Sequence, residues 1–597
     1  MGHIESVAVM AWLPLVFGSF VGFISFQSRR SFILATSALT LQILAGTYIA
    51  VLFTLELLTL FVIGKCSYDF LRVRSWNRVF SFLLRSSLVI VLATGLSAIA
   101  LIPFFELSRL SIRSVGLPFE SASGASLNWN LLSIFFDPVT RKDILVMDPS
   151  SGEILPQNLN LEFLFFMGRS SILILIGSFI SEVYRYIRYK KLNTLYLFCL
   201  GTLGIFILLA MGRNFPLYKL LYSILTPYRL IRRPVRHLMI ATFLLSYLTG
   251  YALSRISKRF LQMLLVSIIS LELLYFGKNY ILVNPEPPVY NDKKLIQTIQ
   301  ERIGTNRVYL NYRSSEVSQL TLYENAGSYY KIPILQGYTP IILSAYDWFA
   351  SLTNLNSPFR ILTKIQNIDL ESSVLDFLGA KYVLDQRIKN EDRADVSIPL
   401  YFQKVYESEA VTLYENPHAM PRFFLVREVV KAQNRGMVAA LIKEKKVDLS
   451  TTAILTKDDS DSFVKSLKSD LKKCKNPKDI GTVILKNYRA NTINLSVSLD
   501  CQGLLVTSEP WFPGWEAKID GKKTPVYRAN LAFRSVVVPE GEHTVEFYYS
   551  PKIYLYSAGV SGVSLFVFLF ILWNFRMMKM IEEIILAKLP TWEIQTK

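Results

Sequence analysis

The sequence predicts a polytopic α-helical membrane domain of about nine spans, an extracytoplasmic α/β portion, and a C-terminal β-sandwich or jelly roll. Three observations predict it. Of 597 residues 51% are hydrophobic and only 19% charged, below the roughly 25% of a typical soluble protein. The apolar excess is confined to 1–277 and 553–575. The stretch between has ordinary soluble composition, and its last part alternates apolar and polar residues between turn signals.

A spanning helix needs about 20 mostly apolar residues. Runs of this kind place helices at 6–27, 79–103, 162–182, 193–212, 237–254, 260–277 and 553–575. The run 31–64 is too long for one span. Gly46, near its middle, divides it into 32–45 and 47–64. The basic residues test the count. Arg29 and Arg30 follow the first span, and Lys65, Arg72, Arg74 and Arg78 follow the third. Arg185, Arg188, Lys190 and Lys191 follow the fifth, Arg255, Lys258 and Arg259 the seventh, and Arg576 and Lys579 the ninth. With nine spans and the N-terminus outside, all five clusters are cytoplasmic, as the positive-inside rule requires. The loop 104–161 and the whole of 278–552 are then extracytoplasmic, and 576–597 is a cytoplasmic tail. The net charge of +19 is read mainly as topology, with membrane lipid and not nucleic acid as the partner.

One segment breaks the pattern. Residues 213–236 face outside in this topology yet carry Arg213, Lys219, Arg229, Arg232, Arg233 and Arg236 and no acidic residue. Arginine pairs bidentately with phosphate, so Arg229, Arg232, Arg233 and Arg236 are candidate lipid-phosphate ligands. Anchoring among anionic headgroups is the other reading. Pro234 biases the residue before it to extended backbone, and the following helix would present its N-terminus to an anion.

In the water-facing part, helix-then-strand patterns at 292–303 with 307–310, and at 373–378 with 381–384, suggest an α/β portion over 278–479. Further amphipathic helices are expected at 434–444 and 461–472. Seven short alternating runs over 480–552 argue a β-sandwich, with a hairpin turn at Asp520-Gly521. Trp511 and Trp515 have two readings: stacking on sugar rings, or filling the sandwich core and packing on the membrane surface.

Much chemistry is absent. There is no P-loop, HExxH, GxSxG or GxGxxG motif, and four His with four Cys give no metal-ligand spacing. Glu56 and Glu272 fall inside apolar runs, where a carboxylate is costly. Each either faces a polar cavity or makes a structural hydrogen bond. Cys474 and Cys501 are positioned for a disulfide if their domain is extracytoplasmic.

The run Ser508-Glu509-Pro510-Trp511-Phe512-Pro513-Gly514-Trp515 is followed by Ile519-Asp520-Gly521-Lys522, Tyr527-Arg528-Ala529-Asn530 and Val538 to Val545, then Tyr549-Ser550-Pro551-Lys552. This resembles the YfhO-like bacterial membrane proteins, relatives of the GT-C glycosyltransferases. Arg232-Arg233-Pro234-Val235-Arg236 is similar to the family's Arg-x-Pro-x-Arg segment. Ala11 to Leu15, Leu41 to Gly46 and Pro421-Arg422 fit as well. The resemblance implies a GT-C-like membrane domain in the bacterial inner membrane. It also implies transfer of a sugar from a polyprenyl-phosphate donor to an envelope glycan or lipid acceptor. It allows a divalent metal, although the residues themselves identify no cofactor. GT-C proteins carry their catalytic acids in the first outer loop. Here Met1 begins inside the family pattern, so the expectation is an N-terminally truncated copy with no catalytic residue assigned. The alternative is a non-catalytic membrane protein whose outer domain binds envelope glycan or a partner protein.

Overall fold

In the computed structural model, Gly46 adopts a positive φ of 91° and ends the long apolar run. Helices Arg29–Leu44 and Tyr48–Val73 flank it. The structure describes residues 4–74, 76–129, 146–147, 154–155, 166–190, 193–280, 292–311, 322, 325–337, 341–353, 369–386, 398–408, 411–426, 428–456, 481–576 and 580. Lys191, Lys579, Cys474, residues 130–145, 148–153 and 156–161 of the expected outer loop, and the expected helix 461–472 lie outside them. Two compact units form: 1–103 with 115–283 and 556–597, and 104–114 with 284–555.

Among the described residues of the first unit, seven helices are long and apolar enough to cross a membrane. They are Val7–Phe26, Tyr48–Leu71, Trp76–Leu96, Arg169–Tyr189, Pro234–Ser254, Arg259–Lys278 and Lys552–Trp573. The other two expected spans form helices of 16 residues at Arg29–Leu44 and 17 at Thr194–Ala210. At about 1.5 Å per residue both fall short of a bilayer core of about 30 Å. Two boundaries also differ. The helix expected at 162–182 is Arg169–Tyr189, because Glu272 accepts hydrogen bonds from the N–H groups of Arg169 (2.6 Å) and Ser170 (3.1 Å). That carboxylate satisfies the orphan donors of a helix N-terminus, and of the two readings of Glu272 this is the structural one. The helix expected at 79–103 is Trp76–Leu96, followed after Ser97 by Ala98–Leu110.

Polar contacts fix the helix directions. Gln42 donates to the Val9 carbonyl at 3.1 Å and to Thr54 Oγ1 at 2.9 Å. Ser97 donates to the Thr40 carbonyl at 3.3 Å, and Leu127 N–H to the Ala210 carbonyl at 2.9 Å. Tyr251 donates to Glu182 at 2.8 Å, and Phe568 and Phe575 pack on Phe32. Running alternately, the helices bring Arg29, Lys65, Arg74, Arg188, Arg255 and Arg576 to one end of the bundle. Gly46 and the segment 213–236 are at the other.

Among the described residues, the second unit contains three sheets. Arg307–Asn311 pairs parallel with Ala380–Gln386, and Val411–Glu415 and Gln403–Glu407 complete a four-stranded sheet. The sandwich has a five-stranded sheet ordered Gly481–Arg489, Thr492–Leu499, Gly541–Tyr549, Trp515–Ile519, Lys522–Thr524. Its facing sheet is six-stranded, ordered Phe423–Val426, Gly503–Pro510, Phe533–Val538, Tyr527–Ala529, Thr452–Thr456, Glu428–Ala432. Three of these strands therefore lie N-terminal to residue 480, where the sandwich was expected to begin. Ile493, Leu495, Leu505, Val536 and Phe547 fill the space between the sheets. Asp520 (φ 50°) and Gly521 (φ 80°) make the tight hairpin turn between Ile519 and Lys522.

A buried charge cluster joins the four-stranded sheet to the sandwich. Glu509 Oε1 lies 2.9 Å from Arg307 and 3.3 Å from Arg422, and Oε2 lies 3.8 Å from Arg534. Arg307 also donates to Ser508 Oγ at 2.8 Å and to the Leu378 carbonyl at 2.6 Å. Burial lowers the Arg534 pKa to about 10. Burial first, and the neighbouring Arg307 second, lower that of Arg422. Removing the one carboxylate would leave three buried cations. Glu509→Ala should therefore destabilise this unit by about 3–5 kcal/mol, read as a fall in the thermal unfolding midpoint of the full chain. An unchanged midpoint would refute the assignment.

A second expectation concerns pH. His543 Nδ1 lies 2.6 Å from Asp520 Oδ2 and Nε2 lies 3.1 Å from the Glu540 carbonyl. Both partners accept, so both ring nitrogens carry protons. The Asp520 hydrogen bond raises the His543 pKa, and the same bond lowers that of Asp520. The hairpin contact is present below the ordinary His value of about 6.5 and is lost as pH rises through the raised folded value. It is lost again as pH falls through the depressed Asp520 value. NMR titration of the imidazole should give a midpoint above 6.5 in the wild type and one near 6.5 in Asp520→Asn.

Candidate membrane site at the arginine-rich loop

Thr194–Ala210 ends at Met211-Gly212. Gly212 has φ 51°, and a Cβ there would meet Ser126 Oγ at 2.1 Å and Pro234 at 2.7 Å. Glycine is therefore required where the 119–127 segment crosses the loop. Arg213 donates to the carbonyls of Ser123 (3.4 Å) and Glu120 (3.2 Å). Arg229 donates to the carbonyls of Tyr222 (3.1 Å) and Ser223 (2.7 Å), which caps the helix Pro216–Ile224 at its C-terminus. Two of the Arg229 N–H groups are thus committed to holding the loop.

Arg232, Arg233 and Arg236 are half-buried. Arg233 is not extended, as its position before proline suggests, but left-handed at φ 67°, ψ 76°. Backbone pairing on both sides holds it there. Its N–H donates to the Ala122 carbonyl at 3.1 Å, and Val235 N–H donates to the Ala125 carbonyl at 3.3 Å. The next helix opens as a 3-10 turn, Pro234–His237, before Leu238–Ser254.

Under this turn lies a pairing that the sequence does not announce. His237 is fully buried. Its Nδ1 lies 2.7 Å from the Pro234 carbonyl, which can only accept, so Nδ1 carries a proton. Nε2 faces Glu56 Oε2 at 3.5 Å. Phe53 stacks on the imidazole at 4.2 Å and Tyr228 at 6.1 Å, with Phe206 and Tyr218 around it. Burial first, and the Glu56 charge second, raise the Tyr228 phenol pKa. The pair fixes the turn that carries Arg232, Arg233 and Arg236. Of the two only Glu56 stands out in the sequence; His237 lies 181 residues away, and nothing in spacing joins them. Among the described residues no three His, Cys, Asp or Glu side chains converge, so the divalent metal that the resemblance allows has no ligand set among them.

The sandwich carries the other candidates. Trp511 and Trp515 are half-buried and line a groove with Phe512, Glu516 and Lys523. The C-terminal motifs that resemble a known family converge on this groove and on Glu509. Residues 442–561 match the family model described as bacterial membrane protein YfhO. This stretch is YfhO-like. The chain also matches the "uncharacterized protein YfhO" of Bacillus subtilis strain 168 at 31% identity over 84 residues, 14% of this chain and 10% of that protein. A cryo-EM structure of the arabinofuranosyltransferase AftD from Mycobacteria is similar at a TM-score of 0.32 and 12% identity. It covers 92% of this chain, which spans 47% of AftD. A score that low does not bear on fold or activity. The chain is thus a multi-pass membrane protein with a YfhO-like segment, and the Arg232 to Arg236 motif lies outside the matched residues.

The Glu56–His237 assignment predicts asymmetric mutants. His237→Ala should destabilise the purified protein by about 3 kcal/mol or more, because it strands a buried carboxyl. A double Glu56→Leu/His237→Leu variant should recover part of that loss. Thermal unfolding in nanodiscs reads both, and equal, additive losses would dissolve the pair.

Proposed function

We propose that this chain binds a polyprenyl-phosphate-linked sugar at the extracytoplasmic face of the bacterial inner membrane and takes part in glycosyl transfer to an envelope glycan or lipid. One observation carries this reading. The segment 213–236, with six cations and no acid, lies at the end of the bundle opposite the other basic clusters. Cations at an outer end run against the positive-inside rule, and a bound phosphate explains the exception. Cys501 is disulfide-bonded, which supports an oxidising, extracytoplasmic setting for its domain.

The chemistry follows from charge. When an acceptor hydroxyl attacks the anomeric carbon, the bond to the carrier phosphate breaks and negative charge grows on the phosphate oxygens. Arginines held in place beforehand stabilise that charge without reorganising. Arg232, Arg233 and Arg236 sit on a turn pinned by His237, and Arg229 holds the loop behind them.

The test is binding of a fluorescent polyprenyl phosphate to purified protein in nanodiscs. Arg232→Gln, Arg233→Gln and Arg236→Gln should each weaken it by about 1.5–3 kcal/mol. Lysine at the same positions should restore only part. Excess phosphatidylglycerol should fail to compete. Equal affinity across the variants, or full competition by phosphatidylglycerol, leaves headgroup anchoring as the loop's role.

A further inference from the structure

The YfhO-like sandwich carries an open groove of about 340 Å³, within the roughly 300–1,000 Å³ of small-molecule sites. Its walls are Trp511, Phe512, Trp515 and Val526, and Glu516 and Lys523 supply its charged groups. The two indoles are set rigidly. The Arg528 guanidinium lies 3.9 Å from the Trp511 ring centre, and Arg534 lies 3.8 Å from that of Trp515. Each cation occupies one indole face at cation–π distance. Arg534 is itself held in the Glu509 cluster, so the buried charges position a wall of the groove.

The polar groups are equally fixed. Glu516 accepts from Lys523 Nζ at 2.8 Å and from the Tyr548 hydroxyl at 2.7 Å. One acid and one base cancel, so the groove selects neither anion nor cation. It offers apolar ring faces with hydrogen-bonding groups beside them.

The groove also has a defined place along the chain. Ser550 N–H donates to the Gly514 carbonyl at 2.7 Å. Gly514 (φ 96°) packs so closely on Pro551 that a Cβ would approach it to 2.7 Å. The apolar helix Lys552–Trp573 begins at the next residue. The groove is therefore fastened to the point where the chain turns into the apolar helix Lys552–Trp573.

We propose that this groove is a saccharide-binding site. It takes a neutral, polyhydroxylated sugar whose C–H face lies on the indoles and whose hydroxyls meet Glu516 and Lys523. A lipid tail would use the rings and leave the charged pair without a role. The site serves a transferase or a non-catalytic glycan binder alike, and it does not depend on the phosphate reading of the arginine loop.

The experiment is saturation-transfer NMR on the full chain in nanodiscs free of glycoside detergents, with cellotriose, mannotriose and galactotriose as probes. Ring C–H protons of at least one trisaccharide should receive saturation. Trp511→Ala and Trp515→Ala should each weaken binding about ten-fold or more, as truncation of a central aromatic anchor does. Glu516→Gln, on the surface and compatible with folding, should weaken it several-fold. Trp573→Phe, in that apolar helix and 88% exposed, should leave it unchanged. Absence of transfer to all three sugars overturns the proposal. So does transfer that survives every groove variant, or quenching of Trp511 and Trp515 by brominated phospholipid without any sugar signal.

Discussion

Three guanidinium groups around one carboxylate govern the water-facing unit. Arg307 comes from the four-stranded sheet, Arg422 from the approach to the sandwich, Glu509 and Arg534 from its six-stranded sheet. Buried ions cost several kcal/mol each unless paired with good geometry. The arrangement thus specifies one relative placement of the two sheets, because any slip strands a cation. Its influence reaches outward. Arg534 leaves the cluster to lie on Trp515, so the shape of the surface groove is set by charges in the interior.

The membrane unit follows the same logic with fewer charges. Glu272 caps one helix and Glu182 binds Tyr251. Glu56 meets His237 beneath the arginine-rich turn. In apolar surroundings each carboxylate is expensive alone, and each has been given a specific polar neighbour. The polar contacts are sparse, so each one fixes a helix register that dispersion forces alone would leave loose.

Much of this was legible in the sequence. Apolar run length located the membrane helices, and Gly46 marked the break between two of them. The Asp520-Gly521 turn and the alternating runs after 480 announced the sandwich. What stayed hidden has physical reasons. The start of Arg169–Tyr189 depends on Glu272, more than a hundred residues away, and hydropathy cannot see a distant cap. Strands at 423–456 join the sandwich through pairing, and no local pattern encodes a partner strand. Glu56 was visible as a costly carboxylate, but its meeting with His237 is a product of helix packing. The left-handed Arg233 reverses a sound local preference because backbone bonds to Ala122 and around Val235 outweigh it. The tryptophans were visible, while the guanidinium beneath each ring was not.

The Glu509 cluster also has a consequence for biogenesis. Arg307 reaches Ser508 and Glu509 across about two hundred residues. During synthesis its charge has no buried carboxylate partner until the chain has been made as far as Glu509, and the cluster is complete only at Arg534. Long-range closure of this kind is slow, and the half-made unit exposes strand edges to proteases and to neighbouring chains. Completion arrives just before the helix at Lys552 emerges. Closure of this unit therefore waits on nearly its whole length, because Arg534, the charge that completes its interior, lies close to its C-terminal end.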